Sequence, residues 1–210
     1  MIDSSYATAD KINVYIGLTI GDTSTYEIDP KRGAYIASFH DGIPTVHKWN
    51  LLAEEALANP DNKLFMLASD DIVFTTPCWD RALLDHYSGL ENKIHVYALQ
   101  DSRDPEGTPH PIVTREYIEA MGFFLPPLFL HWYCDTWTVT IARSNHCFTH
   151  LKDYLLVHDK PSDKGQGDAT HNRIRQMGWK ERDGWVHENQ RYTTLGFYSQ
   201  QLRTHMRDAA

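Results

Sequence analysis

The stretch Lys63-Leu64-Phe65-Met66-Leu67-Ala68-Ser69-Asp70-Asp71-Ile72-Val73-Phe74 constrains this chain most, because an apolar run ends there in two adjacent carboxylates and then resumes as apolar. A short continuous apolar run reads as a buried strand, and aspartate is among the residues least often buried without a partner. Something must therefore compensate the charge of Asp70 and Asp71. A hard divalent cation does so, because carboxylate oxygens suit Mg²⁺ or Mn²⁺, and such a cation can in turn hold a diphosphate.

The chain around this stretch reads as alternating strands and helices. Ile12 to Ile20 is β-branched and apolar and runs into a polar loop, and Ala34 to Phe39 is a second short strand. Val46, Trp49, Leu52, Ala53 and Ala56 then recur at helical spacing before Asn59-Pro60-Asp61-Asn62 closes the helix. This grammar predicts an α/β fold with a mostly parallel sheet flanked by helices and a site at the carboxyl ends of its strands, where Asp70 and Asp71 fall. Further on, Thr75 to Asp80 caps a helix through about Tyr87, Ile94 to Leu99 is a strand, and Gln100 to His110 is a polar loop on the side of the carboxylate pair. Pro111 to Thr114 is extended, and Arg115 to Met121 is a short helix ended by Gly122.

Phe123 to Tyr133 is dense in aromatics, with Pro126-Pro127 forbidding a regular helix. A helix from about Cys134 to Arg143 places Asp135 near its N-terminus, beside His131, Trp132 and Trp137, where an aromatic wall can desolvate a carboxylate and stack a sugar face. Asp153 to His158 is the last strand and ends in a ligand-type residue. Lys160 to Asp168 reads as a flexible polar loop, a helix follows to about Met177, and the rest reads as a polar, aromatic tail.

Composition narrows the class. With 210 residues and 41% hydrophobic content, a single domain with a sizeable core is expected. A net charge of -8 argues against a protein that coats nucleic acid, although Lys152, Lys160, Lys164, Arg173 and Arg175 can form a local basic patch. No apolar stretch is long enough to span a bilayer and the N-terminus lacks a secretory pattern, so a cytoplasmic location is expected. Cys78, Cys134 and Cys147 have no metal-site spacing and read as isolated thiols. Among the 12 histidines, His110, His146, His150 and His171 read as surface residues.

Ser69-Asp70-Asp71-Ile72-Val73-Phe74, Thr76-Pro77-Cys78-Trp79-Asp80, His110-Pro111, Gly122-Phe123-Phe124 and His131-Trp132-Tyr133-Cys134-Asp135-Thr136-Trp137, in this order, resemble nucleotide-sugar-dependent glycosyltransferases of the GT-A fold. They are most similar to the family 2-like members of bacteria and bacteriophages. The resemblance runs from about Ile12 to Arg175, and it implies a Rossmann-like sheet that lacks the usual first βα unit, with Ile12 to Asp22 matching the family's second strand. It divides one domain, 1–210, into a nucleotide and metal half (12–100), an acceptor half with the metal histidine (101–178) and a C-terminal tail (179–210).

Carried over by position, Asp71 matches the metal-holding last aspartate of the DxD motif, Asp70 its middle position, and Ser69 stands where the first aspartate is usual. The resemblance gives His158 as the histidine completing the metal site with Asp71, and Asp135 as the general base of an inverting reaction. It puts His131 and Trp132 in the acceptor pocket. Ser69, Asp70 and Asp71 then face the donor, with Arg103 and Lys164 as diphosphate contacts from loops. The implied cofactor is Mn²⁺ or Mg²⁺. The implied donor is a nucleoside diphosphate sugar, with a UDP-sugar first in line, and the acceptor is a hydroxymethylated DNA base or a polysaccharide, in a bacterium or a phage-infected host. Two alternatives stay open. One is a shortened, non-catalytic relative that binds a ligand or partner; the other is a metal-dependent phosphoesterase, which ordinarily gathers more ligands around two metals.

Overall fold

The computed structural model describes residues 12–20, 34–40, 42–69, 71–158 and 169–209. Strands β1 (Val14–Thr19) and β2 (Ala34–Phe39) pair in parallel, with Val14 opposite Ala34 and Thr19 opposite Phe39. Helix α1 (Thr45–Leu57) follows and buries Val46, Leu52, Ala53 and Ala56, the stripe its spacing predicts. The central sheet comprises β3 (Leu64–Met66), β4 (Ile72–Phe74), β5 (Val96–Asp101), β6 (Ile112–Thr114) and β7 (Phe148–His158), in the spatial order β3-β6-β5-β7-β4.

The fold is α/β, but this sheet is mixed where a mostly parallel one was expected. Pairs β3–β6, β5–β6 and β4–β7 are antiparallel, and β5–β7 is parallel. The reason lies in the connections. A parallel crossover needs a dozen or more residues, usually a helix, and neither 67–71 between β3 and β4 nor the helix-free 102–111 between β5 and β6 provides one. The apolar run that opens the sequence reading is therefore two strands at opposite edges of the sheet, joined across the carboxylate stretch.

Alternation along the strands covers both faces. Phe65, Val96 and Val113 point into one core with α1, α3 (Arg115–Met121) and α4 (Cys134–Ser144), while Tyr97, Leu99, Ile112, Ile72, Phe74 and Leu156 point into a second core under α2 (Trp79–Gly89). Trp79 stacks on Phe74 at 4.1 Å between centroids. Helix α3 is set by its ends: the Thr114 hydroxyl accepts the Tyr117 N–H at its start, and Gly122 closes it with φ 76.

The segment expected as a polar tail is helical. After α5 (Ala169–Gln176) come α6 (Trp179–Asn189) and α7 (Thr194–Asp208). Leu195, Tyr198, Leu202 and Met206 recur at helical spacing along α7 and pack on the first core, with Leu202 fully buried. A fully buried leucine contributes about 1.5–3 kcal/mol, so α7 is part of the domain. Cys78, Cys134 and Cys147 are all free thiols, the last two buried. Among the described residues no helix is long and apolar enough to cross a membrane.

Candidate functional site

Strand register gathers the chemistry on one rim of the central sheet. Ile72 pairs with His158, Asp101 with Leu156, and Met66 with Ile112. The carboxyl ends of β3, β5 and β7 therefore meet the amino ends of the reversed strands β4 and β6. Asp71 precedes β4, Asp101 ends β5, His110 lies just before β6, and His158 ends β7.

His158 stands between two carboxylates. Its Nε2 is 3.2 Å from Asp71 Oδ2, and its Nδ1 is 3.4 Å from Asp101 Oδ2. The Ser69 hydroxyl donates to the other oxygen of Asp71. Asp101 Oδ1 accepts the backbone N–H groups of Arg103 at 2.7 Å and Asp104 at 3.2 Å, which fixes the carboxylate and turns Oδ2 toward the rings. His110 Nε2 is 4.0 Å from that same Oδ2, and the His110 and His158 rings lie 5.0 Å apart. The backbone of His158 is tied as well, its N–H donating to Ser102 Oγ and its carbonyl accepting from Arg103 Nε.

The electrostatics follow from these contacts. The hydrogen bond with His158 holds the Asp71 carboxyl far below the usual carboxylate range, against the cost of its burial and with help from Ser69. Burial alone would raise Asp101; the His158 contact, the Arg103 N–H and the charges of His158 and His110 outweigh it, and its carboxyl also stays low. His110 is pushed down to about 4 by burial, with the His158 charge adding and the two aspartates and the Leu67 backbone opposing, so its imidazole is neutral at pH 7.

His110, expected at the surface, is only 8% exposed, and neither of its ring nitrogens makes a well-formed hydrogen bond, the Leu67 backbone being a marginal contact. Asp101, 2% exposed, leaves Oδ2 without a well-formed one. Buried polar atoms are ordinarily satisfied, and here three of them, on two neighbouring residues, face one another without a well-formed hydrogen bond. One ligand atom each from Asp101, His110 and His158 lie within 4.8 Å of one another, a donor set suited to a divalent cation.

Of the residues singled out in the sequence, Ser69, Asp71 and His158 are brought together here, and Arg103 is exposed at the same rim. Asp70 and Lys164 lie outside the described residues, as does the loop expected from Lys160 to Asp168. Asp135 occupies the first turn of α4, where Oδ1 accepts the Thr136 N–H at 2.7 Å and its hydroxyl at 3.3 Å. Burial raises its carboxyl in spite of these donors, and Asp104, on the loop leaving β5, adds its charge in the same direction. Among the described residues no hydrogen bond or ion pair joins Asp135 to the rim cluster. Trp137, read as part of an aromatic wall, is fully buried against Phe129 and donates to His187 Nδ1 at 3.0 Å.

His131 and Trp132 sit in the irregular segment before α4, their rings edge to face at 4.5 Å. Their backbone N–H groups, with that of Leu130, donate to Asp183 of α6. Asp101, His110 and Asp183 are absent from the sequence reading of the site. Asp101 carried a usable signal, since it follows the apolar run Ile94 to Leu99 much as Asp71 follows Leu64 to Ala68. No protein-family model, no curated protein and no solved structure matches this chain.

Proposed function

We propose that the chain is a metal-dependent glycosyltransferase of the GT-A type, which moves a sugar from a nucleoside diphosphate sugar to an acceptor hydroxyl with inversion. The observation that carries this reading is the meeting of Asp71 and His158 at 3.2 Å, two residues far apart in sequence that the resemblance pairs at one metal site. The donors on offer to a cation are Asp71, Asp101, His110 and His158. When bound, Mn²⁺ or Mg²⁺ would offset the charge that builds on the leaving diphosphate.

The chain's own groups supply the rest. Arg103, exposed at the rim, binds diphosphate oxygens, and Ser69 holds Asp71 in place. Asp135 takes the proton of the attacking hydroxyl. Its raised carboxyl is a stronger proton acceptor than an ordinary aspartate, and Thr136 fixes its orientation through Oδ1. The His131 and Trp132 rings offer apolar faces to the acceptor sugar or base. A UDP-sugar is the donor, and a hydroxymethylated DNA base and a polysaccharide share the hydroxyl that the reaction needs.

The test is release of UDP from a panel of UDP-sugars with Mn²⁺. Asp71→Ala abolishes it, and Asp135→Asn lowers kcat by about 10²–10⁴-fold. Absence of nucleoside diphosphate binding, with or without metal, sinks the reading. Tight nucleotide binding with no turnover in any donor and acceptor combination points to a binding module instead.

One observation favours a second reading, metal-dependent phosphoester hydrolysis: the rim collects two carboxylates and two imidazoles, a richer set than the sequence suggested. Turnover that yields a nucleoside monophosphate or inorganic phosphate, in place of UDP, selects it.

A further inference from the structure

We infer that this rim holds a transition-metal ion through Asp101 Oδ2, His110 and His158 Nδ1, and that Asp71 stands behind His158 as its orienting carboxylate and not as a ligand. The inference rests on the metal-dependent reading of the site and replaces the Asp71–His158 ligand pair that the resemblance implies.

Three observations assign the ligands. First, Asp101 is almost wholly withdrawn from water, and two backbone N–H groups on Oδ1 leave Oδ2 as the oxygen aimed at the imidazoles. Second, His110 is more than nine-tenths buried with no well-formed hydrogen bond at either nitrogen and a marginal contact with the Leu67 backbone, although an unsatisfied buried polar group costs about 1–3 kcal/mol. Its backbone is also left-handed, φ 55, a conformation that costs a side-chain-bearing residue about 1–2 kcal/mol and glycine nothing. The chain keeps a ring at a place where glycine would sit more easily. Third, His158 has two faces. Nε2 meets Asp71, itself held by Ser69, and Nδ1 meets Asp101; a metal-bound histidine ordinarily gives its second nitrogen to a carboxylate in this way.

The spacing is close to what an ion needs. Tetrahedral ligands at about 2.0–2.2 Å from a metal lie roughly 3.3–3.6 Å from each other, against 3.4 Å and 4.0 Å here. Two imidazoles with one carboxylate select Zn²⁺, Co²⁺ or Mn²⁺ over Mg²⁺, whose preference is for oxygen ligands. Three protein ligands leave a position open for an oxygen of water or substrate. Of the four side chains Asp71 is the most exposed, at 16%, so the entry lies on its side.

The test uses the full chain stripped with a chelator and then titrated with Co²⁺, followed by its visible absorption, and with Zn²⁺, Mn²⁺ and Mg²⁺ by calorimetry. The expected result is a single ion per chain, with Zn²⁺ and Co²⁺ bound at least about 10-fold more tightly than Mn²⁺ and Mg²⁺ weakest. Asp101→Asn and His110→Gly weaken Co²⁺ about 100-fold or more and change its spectrum. The glycine variant relieves the left-handed backbone, and circular dichroism checks that it folds. Asp71→Asn keeps the Co²⁺ spectrum and loosens the ion about 10–100-fold, as loss of an outer partner does. Unchanged Co²⁺ binding in His110→Gly overturns the assignment, as does a preference for Mg²⁺. Loss of the spectrum in Asp71→Asn with its retention in Asp101→Asn also overturns it and leaves the glycosyltransferase reading standing. The expected spectra with no affinity for UDP uphold the metal site and overturn sugar transfer.

Discussion

Asp101 and Asp183 are both withdrawn from water, at 2% and 0% exposure, yet they are treated in opposite ways. Asp183 is saturated. Leu130, His131 and Trp132 give it three backbone N–H groups at 2.8–3.1 Å, and Arg182 Nη1 adds a fourth donor at 2.9 Å. Asp101 has one oxygen saturated and the other turned toward two histidine rings at 3.4 and 4.0 Å, with no well-formed hydrogen bond of its own. A buried charge surrounded by fixed donors holds a loop in shape, here the aromatic segment before α4. One left half-satisfied keeps capacity for something that is not part of the chain.

Removing each group should separate the two roles. Asp183→Ala leaves three backbone donors unmatched around a buried site, and we expect a loss of about 3–5 kcal/mol in urea unfolding. The same change should expose the His131–Trp132 segment to protease before the rest of the domain unfolds. A loss below about 1 kcal/mol would mean that water takes over Asp183's part, and the contrast with Asp101 would fail.

How much of this was legible in the sequence depends on range. The apolar run of β5, the spacing of α1 and the Gly122 stop are local signals, and each element lies where its residues imply. Asp71 and His158 were paired through a resemblance, and the register Ile72 opposite His158 places them together. Sheet direction was not legible, because it depends on which strands a short connection lets meet, and 67–71 carries the chain from one edge of the sheet to the other. His110 gave no local sign of burial in a loop of Asp, Pro and Gly; only the fold of that loop over the rim encloses it. Asp183 lies in a helix with few apolar residues, so neither α6 nor its role toward residues 130–132 could be read from periodicity. Helix α7 could have been, from Leu195, Tyr198, Leu202 and Met206.

A third buried polar group extends the comparison, because it stays neutral instead of finding a charge partner. His95 meets Thr149 Oγ1 at 2.9 Å, and burial, with the neighbouring His86 charge, lowers it from 6.5 to about 4. Between these values the unfolded chain binds a proton that the native state refuses. Stability from His95 is therefore complete above pH 6.5 and is lost as pH falls toward 4, by about 2–3 kcal/mol. Unfolding followed across this window should show His95→Gln with a shallower slope than the parent. Equal slopes would remove His95 from the set of buried groups held neutral.

The smallest effect on stability is expected where the effect on ligand binding is largest. Asp101→Asn keeps an oxygen for the Arg103 and Asp104 N–H groups and removes a charge whose burial is itself costly, while His158 retains Asp71. Stability should therefore stay within about 1 kcal/mol of the parent, although Co²⁺ affinity collapses. The sign is informative too. A slightly more stable variant means that the half-satisfied carboxylate is kept against the interest of the fold, as a binding group is; a loss as large as that of Asp183→Ala means that Asp101 holds the rim together in the way Asp183 holds its loop.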